Sequence, residues 1–149
     1  MRHRVAAARL AIVVAVFVWI AGCAGGIDVV EREPSVAESE FQTVVARFEG
    51  QRPILEIPEP REVRSDALVA EPGVRQPAAV FCALGWDPQS RKVYQANIPA
   101  WYVWVRHGGR LTMLGLDVNM DYADFARLGR GPVAEYRAAD GKRALVWLE

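Results

Sequence analysis

The chain has 149 residues, 52% of them apolar, and its 18 basic residues balance 18 acidic ones. That length sets an expectation of one domain, and the apolar fraction excludes a disordered chain. Both properties are unevenly spread: residues 1–22 hold 17 apolar residues and three arginines with no acid, so the remainder is mildly acidic, which argues against a nucleic-acid partner that would need a basic face.

Residues 1–22 have the layout of a secretory signal. Arg2, His3 and Arg4 make a positive start, and Leu10 to Ile20 is an apolar run of the kind that an export signal carries. The run ends on Ile20-Ala21-Gly22-Cys23. These four residues resemble the lipobox of bacterial lipoprotein precursors, an aliphatic residue and two small ones before an obligatory cysteine. The resemblance covers residues 1–25 only. It implies cleavage between Gly22 and Cys23, diacylglycerol on the Cys23 sulfur, and often a further chain on the new amine. One acyl chain anchors marginally, whereas two or three anchor stably. The rival reading is an uncleaved anchor. Residues 10–27 form an apolar stretch of 18, just long enough to span a bilayer, and the preceding arginines would keep its start inside. Both readings put the rest of the chain outside the cytoplasm. Ala24 stands where an Asp commonly retains Gram-negative lipoproteins in the inner membrane, so the outer membrane is favoured if the cell has one.

Residues 23–34 read as the lipid-bearing cysteine and a tether, and 35–149 as a single domain. Ser35 with Glu38 is a capping-box pattern. Phe41, Val44, Val45 and Phe48 then follow one helical face, so the spacing predicts a helix over 36–48 that stops near Gly50. Residues 53–58 make a short strand candidate through Ile54, Leu55 and Ile57. Residues 59–77 mix prolines and charges and are expected as a long loop, with at most a short piece at Leu68-Val69. Residues 78–86 are nearly all apolar, which suits a central strand buried on both faces. Asp87-Pro88-Gln89-Ser90 supplies a turn, and 93–98 should pair back as a hairpin. Residues 100–106 fit a short helix or a strand. A further strand is expected over 111–118 and a helix over 121–128, with Tyr122, Phe125 and Ala126 inward. Asp140-Gly141 is a hairpin signal between 133–138 and 143–148. Helices and hairpins without βα alternation predict an α+β fold: a small antiparallel or mixed sheet with two or three helices on one face.

The residues that could carry chemistry are few. After the signal segment the chain has one histidine, His107, and one cysteine besides Cys23. Cys82 lies in an apolar run and reads as a core thiol. Asp117-Val118-Asn119-Met120-Asp121 opens like a calcium loop, but Tyr122 and Leu128 stand where the loop needs Gly and Glu. The better reading is that Asn119 or Asp121 caps the next helix. No metal and no cofactor is expected. The most unusual stretch is Trp101-Tyr102-Val103-Trp104, whose three large aromatics exceed what one buried face holds easily. Either periodicity parts Tyr102 from Trp101, so Trp101 is expected in the core and Tyr102 at the surface.

The sequence therefore reads as a non-enzymatic envelope lipoprotein. Its domain would be a small binding or interaction module, meeting a protein or glycan partner through Trp101, Tyr102 and Trp104. The alternatives are a small envelope hydrolase using His107, or a structural envelope component on an uncleaved anchor.

Overall fold

The computed structural model describes residues 26–59, 61–68 and 75–149. The signal-like segment 1–22, Cys23 and Val69 lie outside the described residues. Nine strands, β1 (Ile27–Glu31), β2 (Leu55–Ile57), β3 (Glu62–Arg64), β4 (Val80–Asp87), β5 (Lys92–Pro99), β6 (Arg110–Met113), β7 (Leu116–Asn119), β8 (Gly131–Arg137) and β9 (Arg143–Leu148), are described. Three helices accompany them: α1 (Pro34–Ala46), α2 (Ala100–His107) and α3 (Tyr122–Leu128). The fold class is α+β. Six strands form one sheet in the order β1-β5-β4-β9-β8-β2, and β3-β7-β6 form a second. Both sheets are mixed, because β2 runs parallel to β8 and β3 parallel to β7.

β4 sits inside the large sheet, between β5 and β9. Its residues alternate between two apolar layers, as strand geometry requires. Phe81 and Ala83 face the larger core; Cys82 and Leu84 face the smaller one. β9 does the same, with Ala144, Val146 and Leu148 on one side and Leu145 and Trp147 on the other. A sheet apolar on both faces must be covered on both. Hence the helices do not gather on one face, as the sequence led us to expect. α1 covers one side alone, and α2, α3 and the small sheet cover the other. The two sheets approach closely at Gly85, where an added Cβ would lie 2.8 Å from the Met113 sulfur. They are also tied by the Tyr136 hydroxyl, which donates to the Leu114 carbonyl at 3.2 Å.

Several expected elements shift in detail. The predicted 36–48 helix starts earlier: Pro34 occupies the first turn, Glu33 is the N-cap, and no side chain caps it. Proline's preset φ favours that position, so the Ser35–Glu38 capping box is not used. Ala37, Phe41 and Val44 are the buried face, while Val45 is exposed. The stretch 27–31, expected as tether, is the edge strand β1, with Ile27 opposite Ala96 and Glu31 opposite Lys92. The 59–77 loop contains β3 and a 3-10 turn over Ser65–Ala67. The expected strand at 111–118 is instead the hairpin β6–β7, because Leu114 takes φ +52° and Gly115 φ +86°, the left-handed pair that a tight hairpin turn needs. Asp121 caps α3, and Asp124 reaches back to its backbone N–H at 2.6 Å. Tyr122 was expected inward and is 62% exposed, since the first turn of α3 buries Asp124 and Phe125 instead.

Cys82 is 1% exposed. Burial first, then the negative charge of Glu149, push its thiol up to about 12, against a smaller downward pull from Arg47. The thiolate is the reactive form. Cys82 should therefore resist a maleimide in the native protein and react fully in denaturant. Thiol labelling followed by mass measurement reads this directly, and rapid native labelling would place Cys82 outside the core.

Candidate functional site

α2 follows directly from β5, whose Pro99 takes φ −53° and serves as N-cap. Gly108 ends the helix in the left-handed region at φ +56°, its N–H bonding back to the Trp104 carbonyl. This is the glycine-terminated ending common to helices. The open choice between helix and strand over 100–106 is thus resolved as helix. Ala100 and Val103 are its buried residues. Trp101 and Val105, four apart and on one outward face, are 60% and 74% exposed.

The expected order of exposure is reversed. Trp101 is the exposed aromatic, and Tyr102 is half-buried against the main core. Once Ala100 and Val103 define the inward face, the helical period turns Trp101 away from it. The Trp101 ring meets Tyr102 edge-on at 5.6 Å, and Tyr102 lies 6.1 Å from the His107 ring. Trp104 takes a different place, half-buried with its ring 6.3 Å from Tyr122. Its Nε1 is buried without a hydrogen-bond partner among the described residues, a deficit worth about 1–3 kcal/mol for a buried donor. The three aromatics named from the sequence therefore divide. Trp101 and Tyr102 share a surface with His107, and Trp104 belongs to the α2–α3 packing.

His107 lines a cleft of about 320 Å3 with Gly26, Ile27, Ile98, Arg110, Leu111 and Thr112. The start of β1 and the end of α2 thus share one depression. Arg110 pairs with Glu62 at 3.3 Å and Asp117 at 3.4 Å, and the Thr112 hydroxyl donates to Asp117 at 3.2 Å. Asp117 is therefore engaged by the small sheet. Among the described residues no group of His, Cys, Asp and Glu could hold a metal ion.

On the opposite face of the large sheet lies a group that the sequence did not flag. Arg143 is 7% exposed. Its Nε donates to Glu135 at 2.9 Å and Nη1 reaches Glu38 of α1 at 3.5 Å. Its guanidinium carbon stands 4.4 Å above the centre of the Phe41 ring, a cation–π distance. A cavity of about 130 Å3 beside it is walled by α1, β8 and β9, with Val45, Phe48 and Leu145 among the apolar residues. The only sequence signal was the pair Glu135 and Arg143 in one predicted hairpin. They are diagonal neighbours, because Arg137 stands opposite Arg143 and Glu135 opposite Leu145, a separation that long side chains bridge. The cluster joins helix to sheet, and its charges are spent on one another.

No family model, curated protein or solved structure matches the chain.

Proposed function

We propose that the chain is a cell-envelope lipoprotein, held on the membrane through Cys23, whose α+β domain is a binding or interaction module outside the cytoplasm. The observation that carries this reading is the Ile20-Ala21-Gly22-Cys23 ending of the apolar run after Arg2 and Arg4. A small-residue site admits a signal peptidase, and the cysteine sulfur that follows takes the lipid. The outer membrane is the favoured address in a Gram-negative cell, as Ala24 follows the cysteine. The module's contact surface is the outward side of α2, where Trp101 and Val105 stay exposed beside the half-buried Tyr102. Large apolar side chains are costly to leave in water, and aromatics are favoured contact residues where one end is apolar and the other wet.

A hydrolase using His107 is the weaker reading. Among the described residues that line its cleft none is a carboxylate, the group that usually orients a catalytic imidazole.

The Cys23→Ser variant tests the anchor. It should incorporate no labelled fatty acid and should accumulate at precursor mass, whereas the wild type takes up label and loses its first 22 residues. Persistent label on the serine variant would remove Cys23 as the attachment point.

A further inference from the structure

We propose that the exposed side of α2 docks on the lipid surface to which Cys23 holds the chain, so that the domain lies against the membrane in one orientation. This rests on the anchor reading given above and adds a partner for the α2 surface.

The first reason is chain length. The described residues begin at Gly26, and Ile27 already pairs with β5 opposite Ala96. Only Ala24 and Gly25 separate Gly26 from Cys23. Four residue steps, from Cys23 to Ile27, reach at most about 14 Å, at 3.3–3.6 Å each. A lipid on Cys23 therefore holds the start of β1 within that distance of the bilayer surface, too close for the domain to stand off in solution.

The second reason is what lies at that point. β1 is antiparallel to β5, so its first residues sit at the end of β5 from which α2 springs. Gly26 and Ile27 share a cleft with His107. From His107 the surface continues through Tyr102 at 6.1 Å to Trp101 at a further 5.6 Å. Ile27, Trp101 and Val105 are exposed apolar residues along it. The surface nearest the attachment point is thus the one with the most exposed apolar side chains of α2.

The third reason is charge. The α2 sequence AWYVWVRH has no acid and carries Arg106 and His107 in its last turn. An exposed Trp and Val flanked by a cation suits the headgroup region, where indole rings gather and a basic side chain meets lipid phosphate. With α2 docked, the β4–β5 and β8–β9 turns, at the other end of the sheet, point away from the membrane.

The test uses the full chain purified from the membranes of expressing cells. It is reconstituted into vesicles of phosphatidylethanolamine and phosphatidylglycerol whose acyl chains carry bromine, a short-range quencher of indole fluorescence. Flotation reports the anchor, and because the chain has other tryptophans, the share of the quenching that Trp101→Phe removes reports the position of Trp101. The wild type should float and be quenched. Trp101→Phe should float equally and lose the larger part of that quenching, with its thermal melt unchanged because the side chain is exposed. Val105→Glu should float and weaken the quenching.

Flotation with identical quenching in the wild type and Trp101→Phe would overturn docking while leaving the anchor in place. Failure to float would remove the anchor reading, and docking with it. Shielding of Trp101 from iodide in native membranes, without bromine quenching in pure lipid, would overturn docking in favour of a protein partner.

Discussion

Trp147→Ala is expected to cost the domain about 3–5 kcal/mol, the usual range for removing a fully buried aromatic. That is a large part of the roughly 5–15 kcal/mol by which a domain is stable. Trp147 is 1% exposed and is the largest side chain in the layer between α1 and the large sheet. It stands opposite Cys82 and Pro132 on the neighbouring strands, and shares the layer with Phe41 and Val44 of α1. Its Nε1 donates to Glu149 at 2.8 Å, and the same carboxylate meets Arg47 just beyond the helix at 3.3 Å. The alanine variant opens a cavity under α1 and releases that polar link together. Urea melts followed by circular dichroism measure the loss. A change below about 1 kcal/mol, the range of an unremarkable substitution, would mean that α1 is seated by something other than this layer.

Gly109→Ala is expected to be the other severe change, and it acts on α2. Gly109 has φ +82°, and an added Cβ would fall on the Met120 carbonyl oxygen and 2.7 Å from the Trp104 ring. The left-handed backbone alone costs a non-glycine residue about 1–3 kcal/mol. The overlap adds to this, because the Met120 N–H bonds to the Gly109 carbonyl at 3.0 Å and neither segment moves freely. Gly108→Ala is the matched control. Its φ is +56°, but nothing lies within 4 Å of an added Cβ, so only the backbone strain should appear. Thermal melts of both variants separate crowding from strain. Equal losses in the two would show that crowding at Trp104 plays no part.

Much of the large sheet was legible in the sequence. The apolar run through Phe81 and Leu84 suited an inner strand, and Asp87-Pro88 and Asp140-Gly141 marked both hairpin turns. The Asp140 side chain does accept the Lys142 N–H there, at 3.1 Å. What was illegible has particular causes. β1 is exposed at all five residues, so it carries no burial pattern, and its pairing with β5 makes it a strand. β3 buries only Val63 and owes its existence to β7 beside it. The β6–β7 turn hangs on Leu114 adopting a positive φ, which leucine does not announce.

The candidate site was legible in composition and not in orientation. Three aromatics in four residues marked α2, but the periodicity that parts Tyr102 from Trp101 does not say which of the two faces inward, and the expectation put Trp101 there. Helical period decides otherwise, since Ala100 and Val103 already fill the inward positions. Arg143 failed for the converse reason. A charged residue in a strand reads as a surface residue, and only the packing of α1 over β9 makes it a buried one, held by Glu135.

The measurement that bears most directly on the lipoprotein reading is the intact mass of the chain extracted from its own membranes, with sequencing of its amino-terminal peptide. The expected result is a chain that begins at Cys23 and carries a diacylglyceryl group on that sulfur, with or without a third acyl chain on the amine. A membrane-extracted chain that retains residues 1–22 with a free Cys23 thiol would contradict it, and would leave the uncleaved anchor in its place.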